Sequence, residues 1–111
     1  MSAITTHILD TSRGEPASGI RMALDARAGS GAWDRVAEAV SGPDGRAVLL
    51  ADGVKPGVYR ITFETGAYLA RRGDGGFFPE VPVVFEIRDP ASHHHVPLLL
   101  SPFGYSTYRG T

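Results

Sequence analysis

Four histidines carry the most direct chemical potential of this sequence: His7 near one end, and the consecutive His93-His94-His95 near the other. An imidazole titrates close to neutral pH, so it can take or return a proton, and either ring nitrogen can bind a metal. On a strand, alternate side chains point to opposite faces, which puts His93 and His95 on one side and His94 on the other. His7 lies in a period-two segment with Leu9 on its own face and can present a third imidazole to the same surface. Three readings of these residues stay open. They can move protons on a polar substrate, form a zinc site from His7, His93 and His95, or be a solvated cluster without a function. Cysteine is absent, which removes disulfides, thiolate ligands and a thiol nucleophile and leaves His, Arg, carboxylates and hydroxyls to act.

The elements that must hold these groups read as strands. Ile4 to Asp10 is the first. Gly19 to Arg27 sets Ile20, Met22, Leu24 and Ala26 against Arg21, Asp25 and Arg27. Trp33 to Val40 is a weaker one, and Pro43-Asp44-Gly45 turns the chain into Arg46 to Leu50. After a Lys55-Pro56-Gly57 turn, Val58 to Glu64 alternates Tyr59, Ile61 and Phe63 with Arg60, Thr62 and Glu64. Val81, Val83, Phe85 and Ile87 repeat the pattern. Thr65 to Arg72, opening on a threonine able to cap and ending before Gly73, predicts a short helix. Seven or eight short antiparallel strands in 111 residues suit a two-sheet sandwich, and no linker or internal repeat divides it. The expectation is one domain over residues 1–111, of a length that buries roughly two-thirds of the unfolded surface.

The stretch from His93 to Leu100 breaks the pattern, because it is apolar or aromatic on both faces. His94, Val96, Leu98 and Leu100 form one row, and His93, His95, Pro97 and Leu99 the other. If the first row lines the core, the second must lie against something else, and a second subunit is the available cover. Pro97 has no amide to donate, so it fits only where the ladder is broken or at an edge.

With 11 basic and 12 acidic side chains, a formal net charge of -1 and no basic run, the sequence shows no footprint for nucleic acid or an anionic membrane. No run of 18 apolar residues occurs, and the opening MSAITTHILD lacks the pattern of a secretory leader. A cytoplasmic location is the expectation.

The stretch His95-Val96-Pro97-Leu98-Leu99-Leu100-Ser101-Pro102-Phe103-Gly104-Tyr105-Ser106-Thr107-Tyr108-Arg109-Gly110-Thr111 strongly resembles the terminal signature of 5-hydroxyisourate hydrolases, the transthyretin-related enzymes. Thr6-His7-Ile8-Leu9-Asp10-Thr11-Ser12-Arg13-Gly14-Glu15-Pro16-Ala17 is similar to that family's other signature. Asp44-Gly45-Arg46 and Phe77-Phe78-Pro79-Glu80-Val81 match in order between them. Four agreeing motifs are far more specific than any one of them.

The resemblance implies a mainly β, prealbumin-like (transthyretin-like) sandwich of two four-stranded antiparallel sheets with one short helix. It implies a homotetramer with active sites at the dimer-dimer interface. It also implies hydrolysis of 5-hydroxyisourate, a small oxidised purine, in urate catabolism, with no cofactor. By motif position His7, Arg46 and His95 become the catalytic set, with imidazoles activating water and the guanidinium orienting substrate and stabilising the oxyanion. Tyr108, Arg109, Gly110 and Thr111 become substrate-binding residues, and Leu9, Pro97 and Leu99 become apolar walls. Thr111 stands where the family usually ends in serine, and His94 where many members have tyrosine. The alternatives are a small-molecule carrier resembling transthyretin and the zinc site above.

Overall fold

The computed structural model describes residues 3–111. Met1 and Ser2, the first residues of the expected domain, lie outside the described residues. Among the described residues, ten strands and one helix run in the order β1 (Ile4–Asp10), β2 (Glu15–Pro16), β3 (Arg21–Arg27), β4 (Trp33–Val40), β5 (Arg46–Leu50), β6 (Gly57–Phe63), α1 (Thr65–Arg71), β7 (Val81–Ile87), β8 (His94–His95), β9 (Leu98–Ser101) and β10 (Gly104–Thr107). One sheet has the order β4-β3-β6-β7. The other runs β10-β9-β1-β2, with β5 and β8 also paired to β1.

This second sheet has six strands where four were expected, and the extra segments have local causes. Pro97 cannot donate to a ladder, so the single stretch from His93 to Leu100 divides into β8 and β9 around it. β2 is a two-residue return after the turn at Thr11 to Gly14. A second departure is direction. Among the described residues every ladder is antiparallel except those of β1 with β8 and β9, which are parallel. No hairpin constrains strands this far apart in the chain.

The alternating rows meet between the sheets. β1 buries Ile4, Thr6, Ile8 and Asp10 and leaves Thr5, His7 and Leu9 half-exposed on its other face. Val96, Leu98 and Leu100 join that core, facing Met22, Leu24, Ile61, Phe63, Val81 and Ile87. Buried apolar area of this kind is the main favourable term holding two sheets face to face.

Two carboxylates are buried with partners among the described residues. Asp25 is 4% exposed on the expected polar face, because a register shift after Leu24 and the guanidiniums of Arg35 (2.8 Å) and Arg60 (3.0 Å) enclose it. Arg60 also lies 4.4 Å over the ring of Trp33. Asp10 accepts hydrogen bonds from Tyr68 Oη (2.8 Å), Ser12 Oγ (2.8 Å) and the Arg13 amide (3.2 Å), which ties β1 to α1. Thr65 begins α1 rather than capping it. Glu64 holds the cap position without a side-chain bond, while the Thr65 hydroxyl donates to the Phe78 carbonyl at 3.3 Å.

Candidate active site

The half-exposed row of β1 is the floor of the site. Register pairs His7 with Arg46 across the antiparallel β1–β5 ladder, so the two side chains stand side by side on the outer face. The turn before β5 makes this possible. Gly45 has φ 80°, and a Cβ there would lie 2.4 Å from the Ile8 carbonyl oxygen, so glycine is required for the turn to close against β1. Asp44 Oδ1 accepts the Arg46 amide at 3.0 Å, holding the start of β5. The Asp44 carbonyl lies 2.9 Å from His7 Nε2. A carbonyl can only accept, so His7 carries its proton on Nε2 and keeps its lone pair on Nδ1. The motif Asp44-Gly45-Arg46 therefore presents the guanidinium and sets the tautomer of the neighbouring imidazole.

On the other side, the parallel ladder sets Thr5 beside His95. The Thr5 hydroxyl lies 2.8 Å from His95 Nδ1 and 2.8 Å from His93 Nε2. His94, 5% exposed, turns into the interior and donates from Nδ1 to the Ser92 carbonyl at 3.0 Å. The C-terminal residues are held against this strand. The Gly110 amide donates to the His95 carbonyl at 2.8 Å, and the Arg109 guanidinium reaches Ser92 Oγ (3.3 Å) and the His93 carbonyl (3.4 Å). Thr111 thereby arrives beside His95.

Thr5, Thr6, Asp44, Arg46, Ala47, Val48, His93, His95 and Thr111 line a cleft of about 480 Å³. Partial burial holds the His95 imidazole below its usual pKa, and the positive charge of Arg46, then His93 and His7, pushes the same way. A neutral imidazole beside a fixed guanidinium can accept a proton from water while the cation steadies developing negative charge.

Of the expected substrate contacts, Thr111 lines this cleft. Tyr108 and Arg109 line the adjoining hollow against Val83, Phe85 and Val96. Leu9 and Leu99 pair with each other farther along the same face, and Pro97 is buried. Gly110 has a steric role: a Cβ would lie 2.5 Å from His95 Cδ2 and 3.3 Å from Pro97 Cγ.

The zinc set does not assemble. Among the described residues no three His, Cys, Asp or Glu side chains gather to hold an ion. The ring nitrogens explain this, since His7 Nε2 faces the Asp44 carbonyl and both His93 Nε2 and His95 Nδ1 face one threonine hydroxyl. Sequence reasoning missed Thr5, although the period-two rule that singled out His7 already places Thr5 on the same face. Asp44 entered only as a turn residue, because the use of its carbonyl depends on tertiary register.

The HIUase/Transthyretin family model matches residues 4–110. The chain is 42% identical to the uric acid degradation bifunctional protein TTL of Arabidopsis thaliana, covering 97% of this chain but only 37% of that protein's length. It is also 42% identical to the 5-hydroxyisourate hydrolase of Mus musculus, across 99% of this chain and 96% of that protein. The solved 5-hydroxyisourate hydrolase of Klebsiella pneumoniae superposes with a TM-score of 0.85 at 40% identity, covering 98% of this chain and 99% of that one. Sea bream transthyretin in complex with thyroxine gives a TM-score of 0.91 at 30% identity, covering 98% and 95%. Backbone likeness alone does not separate a hydrolase from a carrier, so the side chains of the cleft must.

Proposed function

The chain belongs to the HIUase/Transthyretin family, and from that premise we infer that it is a hydrolase that opens 5-hydroxyisourate to 2-oxo-4-hydroxy-4-carboxy-5-ureidoimidazoline in urate degradation. The observation that carries this reading is the meeting of Arg46, His95 and Thr111 at one cleft, with His7 outside its lining but paired to Arg46 across the β1–β5 ladder.

In the mechanism we propose, the substrate's urea-like carbonyls lie against the Arg46 fork, which stays charged throughout turnover. Water, held between His7 and His95, loses a proton to an imidazole as its oxygen bonds to the ring amide carbon. The oxyanion forms against Arg46, the carbon–nitrogen bond breaks, and the imidazolium returns its proton to the departing ring nitrogen. Thr111 offers a hydroxyl to the substrate. No cofactor enters this scheme, and His7, Arg46 and His95 supply its chemistry.

A hormone-like carrier is the rival. The cleft lining argues against it, since Arg46, His93, His95 and three threonines supply charged and hydrogen-bonding groups that suit a small polar ring. We propose that the chain forms one transthyretin-like domain and that four copies assemble with this cleft at the dimer-dimer interface. Val48, 60% exposed beside the cleft, and half-buried Leu9 and Leu99 on the same face support a covering protomer. We also propose a cytoplasmic location, which fractionation of cells expressing the tagged chain tests. The activity is tested by generating 5-hydroxyisourate in situ with urate oxidase and following its ultraviolet absorbance. We expect faster decay when the protein is added. Decay at the spontaneous rate overturns the hydrolase reading.

A further inference from the structure

The hydrolytic scheme gives no task to Thr5 and His93, two polar residues of the cleft that touch each other. The Thr5 hydroxyl lies 2.8 Å from His93 Nε2 and 2.8 Å from His95 Nδ1. Among the described residues these two nitrogens are the hydroxyl's hydrogen-bond partners, and its one proton goes to one of them while it accepts from the other. In the neutral site, one facing nitrogen therefore carries a proton and the other does not. The ring centroids are 6.3 Å apart, which makes the hydroxyl the link between the imidazoles.

We propose that Thr5 is a positioning residue that joins His93 and His95 into one proton-sharing unit, through which the proton taken from water by His95 passes to His93. This deepens the hydrolase reading and rests on it, with His95 as the acceptor.

The step balances. His95 starts protonated on Nδ1 and donates to Thr5 Oγ1, while Thr5 donates to His93 Nε2. When His95 Nε2 takes the proton of water, its Nδ1 proton moves to Thr5 Oγ1 and the original Thr5 proton moves to His93 Nε2. The charge then sits on His93, and His95 is neutral with an Nε2–H facing the substrate, placed to serve the departing nitrogen. Reversal of the relay restores the start.

The direction has a physical cause. His95 is half-buried, and burial first and then the charge of Arg46 oppose a cation on it, whereas His93 lies exposed to solvent. Among the described residues, further charged side chains near the pair are Asp44, across the cleft, and Arg109, whose guanidinium bonds the His93 carbonyl at 3.4 Å. The β-branched side chain of Thr5 restricts its rotamers, and strand register fixes it beside His95.

The test uses the full-length chain with 15N-labelled histidine and the variants Thr5→Val, Thr5→Ser and His93→Gln. Valine matches threonine in shape and favours a strand. Gln at exposed position 93 gives a second route should the valine variant not fold. With both rings neutral, the facing nitrogens should show one pyrrole-type and one pyridine-type resonance. Thr5→Val should abolish that complementarity and Thr5→Ser should keep it. On substrate, Thr5→Val and His93→Gln should each lower kcat by at least about tenfold with little change in KM, and Thr5→Ser should recover most of the loss. Facing nitrogens of the same type in the parent chain, or unchanged tautomers in Thr5→Val, overturn the bridge. Parental kcat in either folded variant overturns the relay. A parent chain inert towards 5-hydroxyisourate overturns the hydrolase reading instead, and the resonances still decide the bridge.

Discussion

At the scale of single residues, the mechanism we propose reduces to keeping His95 neutral and aimed. Its folded pKa lies below the ordinary 6.5, so at pH 7 the ring is an available base. We expect the acid limb of kcat/KM to fall below pH 6.5, and Arg46→Ala to move it upward by removing a cation that opposes protonation. The same variant should lose about 10²- to 10³-fold in turnover, the usual cost of one oxyanion donor. Steady-state rates across pH measure both effects. A depressed histidine pKa adds no stability above pH 6.5 and weakens the fold as the pH drops below it. Aim depends on Gly110, where an added Cβ would sit 2.5 Å from the His95 ring. Gly110→Ala should rotate the imidazole off Thr5 and cost at least about tenfold in kcat, since small misplacements are expensive near the reacting atoms. A normal rate in that variant would show the ring has room to spare. The types and motif positions of His7, Arg46 and His95 were legible in the sequence. The ring nitrogen that each histidine leaves free was not, because hydrogen-bond partners come from distant parts of the chain.

At the scale of elements, β1 is the organising strand: one face packs the core while the other carries Thr5, His7 and Leu9. Its far end is pinned by Asp10. Burial alone would raise that carboxyl, but the bonds from Ser12, Tyr68 and the Arg13 amide, with the charge of Arg13, hold it below the usual carboxylate range. Burial, together with the bond to Asp10, pushes the Tyr68 hydroxyl up to about 12. Tyr68→Phe should therefore destabilise the protein by about 1–3 kcal/mol, read as a lower urea midpoint with unchanged slope. The contribution of Asp10 is present above pH 3.8 and lost as the pH falls through its lowered pKa. Strands β1, β3, β4, β5 and β6 were readable within a residue or two, whereas the two-residue β2 was not. The break at Val96-Pro97 was foreseeable from the missing amide, whereas the parallel direction of β8 and β9 was not, because periodicity carries no direction.

At the scale of the whole molecule, the outer face of the β1 sheet is the surface the proposed assembly must cover. Sedimentation should show four copies of the 11.8 kDa chain. Leu99→Arg, a charge on the covered face, should reduce the assembly to dimers and lower turnover with it; an undisturbed tetramer would move the interface elsewhere. By itself the sequence determined the alternation that builds two packed sheets, the absence of thiol chemistry, and the histidine and arginine types that a proton-transfer site needs. These are local properties of residue and spacing. Only the tertiary structure decided that His7 faces Arg46, that Thr5 stands between His93 and His95, and that these imidazoles point to a carbonyl and a shared hydroxyl instead of one ion. Those facts arise from the register of strands up to ninety residues apart in the chain, and register is set by which faces are buried against each other.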